Sequence, residues 1–306
     1  MPVYVVGHKN PDTDSVTSAI AYAELKKAMG MDAVPASQGE INPETKMVLD
    51  KFGFSAPQQV TDATGKQVIL VDHGDLAQAP DNLGEGELLE VVDHHKIGDV
   101  TTGNPIFFYA KPVGCTGTVL KEIFETNKID IPKNIAGIML CAIISDTVLF
   151  KSPTTTDEDK KACEELAKIA GVDDMNALAM EMFKAKSAVE GVPAKDLLFR
   201  DYKDFDMGGN KVGIGQLELV DLSLVEDIRE DLYKAAEEVK GEGRHSVLLM
   251  LTDIMKEGTD LMVVTDDASK INEAYGVKLD GKTVWVDGMM SRKKQAVPPL
   301  QKAFGA

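Results

Sequence analysis

The chain has 306 residues, 43% of them hydrophobic and 27% charged, enough for one large domain or two ordinary ones with the balance of a soluble globular protein. Fifty acidic against 33 basic residues leave a formal charge of −17, which repels a nucleic-acid backbone unless a local basic site overrides it. No apolar run approaches the roughly 20 residues that cross a bilayer, and the opening "MPVYVVGHKN" has no basic n-region or cleavage site, so a cytoplasmic protein is expected.

In chain order, "VYVV" (Val3–Val6) predicts a short buried strand, and Ser15–Met29 has helical periodicity that stops at Gly30. "AVPAS" reads as a strand and "NPETKMVLDKFG" as a helix with Pro in its first turn and a Gly stop. Val68–His73 and Leu88–His95 are further strand candidates, followed by helices at Thr116–Thr126, Pro132–Ile144, Thr156–Ala170 and Asp173–Ala185. Alternation of this kind predicts an α/β domain with a parallel sheet flanked by helices. "KSAVEGVPAK" (Lys186–Lys195) lacks periodicity and holds Gly and Pro, so the division expected is a domain at 1–187, a linker at 188–192 and a smaller domain at 193–306. In that second part a helix over Leu222–Lys240 sits among alternating runs such as "KVGIGQLEL", "SVLLMLTDI" and "KTVWVDG", which predicts α/β with a mixed, largely antiparallel sheet.

Three strand candidates end in polar chemistry: His8, then Asp72 and His73, then Asp93, His94 and His95. Four of the five histidines fall at these ends, with only His245 elsewhere. In open parallel sheets the functional crevice lies beyond the carboxyl ends of the strands, so these tips are candidates for one site. "GHKNPDTDS" could be a turn with Asp14 or Ser15 capping the next helix, but that explains one acid and not His8, Asp12 and Asp14 together. Asp146, at the end of a strongly apolar helix, would be costly to bury without a cation.

Carboxylates mixed with imidazoles suit manganese, cobalt or magnesium better than structural zinc, and the acids suffice for two ions with one aspartate bridging. Two such ions can deprotonate a shared water and brace a phosphoryl group in line. An anionic substrate then needs further positive charge, which Arg292, Lys293 and Lys294 of "SRKKQ" offer; Lys203 in "RDYKDF" is a weaker signal. Cys115, Cys141 and Cys163 are odd in number and dispersed, and are expected to be free thiols packed as small hydrophobes. There is no GxxxxGK[ST] loop and no GxSxG elbow, and "GIGQLE" lacks the third glycine of a dinucleotide fingerprint.

The ordered set "GHKNPDTDS", "VDH", "VVDHH", "DYKDF" and "SRKKQ" resembles the DHH phosphoesterase superfamily, and more closely the manganese-dependent family II inorganic pyrophosphatases, over essentially the whole length. The resemblance implies a DHH catalytic domain followed by a DHHA2-type substrate-binding domain. It implies that His8 and Asp12 bind one manganese ion, that Asp14, His94 and Asp146 bind the second, and that Asp72 bridges. His95 would face the substrate or support the ligands from behind, Asp93 would orient the histidines, and His73 has no assigned part. Lys203, Arg292 and Lys293 would hold phosphate oxygens. The reaction implied is hydrolysis of pyrophosphate to two orthophosphates by a hydroxide shared between the ions, with magnesium arriving on the substrate. A homodimer through the first domain is also implied. Exopolyphosphatase or oligonucleotide phosphodiesterase activity is the alternative within the superfamily, and a silent metal or phosphate sensor the alternative outside enzymes.

Overall fold

The computed structural model describes residues 2–306, and the chain divides into two compact units, Met1–Ala185 and Lys186–Ala306. The first unit runs β1 (Val3–Val6), α1 (Thr13–Ala28), β2 (Ala33–Ser37), α2 (Pro43–Phe52), β3 (Gln58–Gln59), β4 (Gln67–Val71), β5 (Glu87–Asp93), β6 (Phe107–Ala110), α3 (Thr116–Thr126), α4 (Lys133–Thr147), α5 (Asp157–Ala170) and α6 (Met175–Lys186).

All six strands pair in parallel, in the order β3-β2-β1-β4-β5-β6. From β1 the chain winds outward through β2 to β3. It then returns to the other side of β1 with β4 and winds outward again to β6. The order therefore reverses between β1 and β4, and the carboxyl ends of those neighbours splay apart to leave a crevice. Residues leaving β1 and β4 line that crevice because of the topology alone.

α1 packs on the sheet, with α3 and α4 against it. Its first turn is buried as deeply as its middle, from Thr13 through Ala23, because it is enclosed between sheet and helices. α4 is sequestered more fully, with Ile138, Met139, Leu140, Ile143 and Ile144 at 0% exposure. Each such side chain contributes about 1.5–3 kcal/mol of burial, which holds the helix that carries Asp146. The other face of the sheet presents Val6, Ala36, Val68, Leu70 and Val91 to loop residues Val60, Ala63, Ala79 and Leu83.

The second unit runs α7 (Ala194–Phe199), β7 (Tyr202–Met207), β8 (Asn210–Leu219), α8 (Arg229–Gly241), β9 (Ser246–Asp253), β10 (Gly258–Thr265), α9 (Ala268–Tyr275), β11 (Thr283–Asp287) and α10 (Val297–Phe304). Its sheet order is β11-β10-β9-β8-β7. Only β8 and β9 are parallel, joined by the crossover through α8; the remaining neighbours are antiparallel. One face of the sheet packs with α7 and α8 through Leu217, Val247 and Leu249. The other packs with α9 and α10 through Val212, Ile214, Leu248 and Leu300.

Several boundaries differ from the sequence reading for identifiable reasons. α1 begins at Thr13 because Asp12, not Asp14 or Ser15, caps it by accepting the Ser15 N–H at 2.9 Å. α4 continues to Thr147, so Asp146 lies inside its last turn. Leu222–Lys240 is two elements, a 3-10 segment Leu222–Ile228 and then α8, because Asp221 starts a tight turn by accepting the Ser223 N–H. Lys203, for which the sequence reading gave no element, lies in β7, at the edge of its sheet.

Candidate metal centre

β1 delivers His8 one residue beyond Gly7, and the chain then doubles back into α1. That return is tight: a Cβ on Gly7 would lie 2.0 Å from Ser15 Oγ and 2.6 Å from Ser15 O, so only glycine lets the helix start approach the strand end. Beside it, β4 ends at Val71 and Asp72 takes a left-handed backbone, φ 64°. Aspartate is one of the few residues other than glycine that adopt this region readily, and the left-handed turn ends the strand at Asp72. β5 ends at Asp93, followed by His94 and His95.

These ends converge. His8 Nε2 lies 3.4 Å from Asp12 Oδ2 and 3.4 Å from Asp72 Oδ2. His94 Nε2 lies 3.4 Å from the other oxygen of Asp72, Oδ1, and 3.8 Å from Asp146 Oδ2. One buried carboxylate thus turns its two oxygens toward two different histidines. Donor atoms gather into three potential cation-holding groups: His8 with Asp12 and Asp72, Asp72 with His94 and His95, and Asp14 with Cys115 and Asp146.

The histidine orientations decide what lies between them. His8 Nδ1 is 2.7 Å from the Lys9 carbonyl, and His94 Nδ1 is 3.0 Å from the Val113 carbonyl. A carbonyl can only accept, so each Nδ1 carries a proton and each ring turns its Nε2 toward carboxylate oxygens. An Nε2 and a carboxylate oxygen at 3.4 Å attract only when a proton or a metal cation lies between them. Adjacent ligands on an octahedral ion with bonds of about 2.1 Å stand about 3 Å apart, so the donor set fits such an ion.

The electrostatics agree. Burial works against charge on His8, but Asp12 and Asp72 outweigh it and raise its pKa well above the ordinary imidazole value. Burial opposes ionisation of Asp72 too, yet His8 and His94 hold it well below the carboxylate range. Asp14 is pushed up to about 7 by burial and by repulsion from Asp72. The cluster binds protons avidly because it is built to hold positive charge.

Asp14 is held from behind by the start of α3. It accepts the Thr116 N–H at 2.7 Å, the Gly117 N–H at 3.2 Å and the Ser18 hydroxyl at 2.8 Å. The Thr116 hydroxyl reaches on to Asp72 Oδ1 at 3.0 Å. Asp93 Oδ1 accepts the His94 N–H at 2.7 Å, the His95 N–H at 3.0 Å and His95 Nδ1 at 2.8 Å, which directs the opposite edge of the His95 ring away from Asp93. His73 stays neutral, its pKa driven down to about 4 by burial, with Nδ1 bonded to the Val71 carbonyl.

Sequence comparison matches residues 2–143 to the DHH family, N-terminal domain, and residues 180–303 to the DHHA2 domain. A chain of Archaeoglobus fulgidus assigned as a manganese-dependent inorganic pyrophosphatase is 56% identical over 99% of this chain and 98% of its own. The manganese-dependent inorganic pyrophosphatase of Methanothrix thermoacetophila is 50% identical over the same shares. The chain belongs to the manganese-dependent inorganic pyrophosphatase family. A crystal structure from Methanococcus jannaschii that carries the family II inorganic pyrophosphatase designation superposes with a TM-score of 0.89 at 47% identity, covering 99% of this chain and all of that one. An exopolyphosphatase-related protein of Bacteroides fragilis shares the fold at 13% identity, TM-score 0.51.

The second unit of this pyrophosphatase-family chain carries the basic residues on strand β7 and on the turn before α10. Lys203 pairs in register with Ile214 of β8, and the Ile214 carbonyl accepts from Arg292 Nη1 at 3.3 Å. Arg292 is tied at its end fork: Nη1 donates to the Asp201 carbonyl at 2.7 Å and Nη2 to Asp201 Oδ1 at 2.6 Å. The loop before it is fastened by Gln295, whose Oε1 accepts the Met290 and Ser291 N–H groups, both at 2.9 Å. Ser291 in turn caps the turn Arg292–Ala296 that holds Lys293 and Lys294.

Sequence reasoning passed over the residues behind the donors. Thr116, Asp159 and Glu44 look like ordinary polar helix residues, yet all are buried. Asp159 accepts from Gly114 N–H at 2.8 Å and Thr118 Oγ1 at 2.6 Å, fixing the loop before α3. Cys115 is a free buried thiol as expected, but it packs against Asp14 and Asp146 rather than in an apolar core. Thr116 and Glu44 open helices that follow strands β6 and β2, and Asp159 closes the capping box that begins at Thr156; these local patterns are the signals that could have found them.

Proposed function

We propose that this protein hydrolyses inorganic pyrophosphate to two orthophosphates with manganese as cofactor, two ions per subunit, cobalt or magnesium as substitutes and additional magnesium arriving with the substrate. The observation that carries the reading is Asp72, whose two oxygens face two separately oriented histidines, in a chain about half identical to pyrophosphatases over its full length. His8 and Asp12 would hold the first ion and Asp14, His94 and Asp146 the second, with Asp72 shared between them. Bound there, the ions supply the acidity that makes water a nucleophile at neutral pH and the charge that braces a phosphoryl group.

The chain's own residues do the rest. Asp93 fixes the His95 ring so that its Nε2 edge is presented to substrate oxygens. Lys203 is a strand-held point charge without an ion pair among the described residues, and Arg292, oriented by Asp201, keeps Nε and one Nη2 hydrogen for a phosphate oxygen pair. With Lys293 they neutralise the leaving phosphate. The division proposed is a catalytic domain at 1–187, a linker at 188–192 and a substrate-binding domain at 193–306. A homodimer through the first domain is favoured by β6, whose outer edge is unpaired among the described residues and whose Phe107 and Phe108 are 46% and 42% exposed. Among the described residues no helix is long and apolar enough to cross a membrane, and the cysteines are free, which favours the cytoplasm.

The test is phosphate release from pyrophosphate by metal-stripped protein, titrated with manganese in the presence of magnesium. Release that rises steeply with manganese is expected. Bound manganese without release would refute the substrate and turn the assay to polyphosphate and short oligonucleotides.

A further inference from the structure

Glu44 is a carboxylate the chemistry above does not use. It sits in the first turn of α2 at 1% exposure, and a single oxygen, Oε2, accepts two hydroxyls: Thr13 Oγ1 at 2.8 Å and Ser145 Oγ at 2.8 Å. Thr13 is the residue between Asp12 and Asp14, and Ser145 immediately precedes Asp146. The two hydroxyls are themselves buried, at 0% and 3% exposure. Thr13 is held a second time from the same helix, its Oγ1 lying 3.1 Å from Thr45 Oγ1. Thr45 is fixed by donating its N–H to Asn42 Oδ1 at 2.8 Å.

We infer that Glu44 is a positioning residue for the metal centre: it clamps the start of α1 to the end of α4, and so sets the distance between the acids those two helix ends carry. The inference rests on the reading of Asp12, Asp14 and Asp146 as metal ligands. Two hydrogen bonds on one buried carboxyl oxygen fix the two hydroxyls relative to each other as well as to Glu44. Asp14 and Asp146 come from segments far apart in sequence, and no backbone pairing joins α1 to α4. Side-chain packing resists separation of the helices but tolerates small rotations. A rotation is what would move Asp146 relative to Asp14 while leaving the hydrophobic contacts nearly intact, and the shared oxygen of Glu44 opposes it. Its place behind the ligands is that of the outer partners whose loss weakens metal sites while the fold survives.

The test compares Glu44→Leu, which fills the space without an acceptor, with Glu44→Gln, whose amide oxygen can still accept both hydroxyls. Free manganese is measured by electron paramagnetic resonance in titrations of the full chain, so the readout does not depend on turnover. Glu44→Leu is expected to weaken manganese binding about 10–100-fold, and Glu44→Gln to restore it to within a few-fold of wild type. Ile143→Val, which loosens α4 in the core without touching the clamp, should lower the melting temperature and leave manganese affinity unchanged. If Glu44→Leu does not fold, Thr13→Val and Ser145→Ala each remove one arm, and each should weaken binding. Wild-type affinity in folded Glu44→Leu, or in both single-arm variants, overturns the inference. Failure of the wild-type protein itself to bind manganese would instead refute the metal centre on which it rests.

Discussion

Replacing Asp72 with Asn changes the side chain's size hardly at all and removes one charge from the middle of the cluster. Asp72 is 1% exposed, 3.4 Å from His8 Nε2 and 3.4 Å from His94 Nε2, and accepts the Thr116 hydroxyl at 3.0 Å. Removing one member of a buried, compensated charge pair costs about 3–5 kcal/mol. At about 1.4 kcal/mol per tenfold, that weakens manganese binding by roughly two to three and a half powers of ten. Because the carboxylate faces both histidines, the loss should fall on both ions together and not on one. Manganese titrated by electron paramagnetic resonance should show both classes of site weakened in Asp72→Asn, and phosphate release at limiting manganese should collapse. Two sites of which only one is weakened would refute the bridging role. Wild-type affinity and turnover at limiting manganese would refute the assignment of Asp72 altogether.

The pH dependence has a definite sign. Asp14, pushed up to about 7 by burial and Asp72, and His8, raised by Asp12 and Asp72 against its burial, both bind protons better in the folded than in the unfolded chain. For metal-free protein the stability they contribute is complete below the unfolded values, about 4 and 6.5, and is lost as pH rises through the folded ones. Asp72, held well below the ordinary range, has the opposite sign: the stability it contributes is complete above about pH 4 and is lost as pH falls through its lowered value. Manganese competes with the protons on Asp14 and His8, so its affinity should rise between about pH 5 and 8 with proton release measurable by calorimetry; a flat profile would contradict the cluster electrostatics. Gly7→Ala forces a Cβ to 2.6 Å from the Ser15 carbonyl, and should cost about 1–3 kcal/mol in urea unfolding as well as weaken manganese binding; an unchanged midpoint would mean the turn has room that the geometry denies. Lys128→Gly should stabilise by about 0.5–1 kcal/mol, since Lys128 is exposed with φ 56° just after α3, and a destabilised variant would show the left-handed residue makes contacts of its own.

Much of the centre was legible because strand ends in a parallel sheet are where polar residues have no packing role. His8, Asp72 and His94 stood out for that reason, and the structure brings them together. Asp146 was legible through the cost of an acid in an apolar helix, although the helix extends past it. What stayed hidden depends on distance in space. Glu44 and Ser145 are 101 positions apart, and Thr116 and Asp72 are 44 apart, so no local pattern links them. Strand β6, "FFYA", went unread because its four residues are too few for alternation to show and it lies on the sheet edge with its ring faces partly exposed. Arg292 was legible as charge but not as a tethered group, because Asp201 lies on the other side of β8 in sequence.

The reversal of strand order between β1 and β4 has a kinetic corollary. The donors it gathers run from residue 8 to residue 146 and arrive on β1, α1, β4, β5 and α4, so no early fragment of the folding chain holds more than a few of them. Parallel pairing of this kind is long-range and forms late. Uptake of manganese by a refolding chain should therefore lag the appearance of helical signal and keep time with closure of the last strand pair, which makes the ion a clock for completion of the first unit.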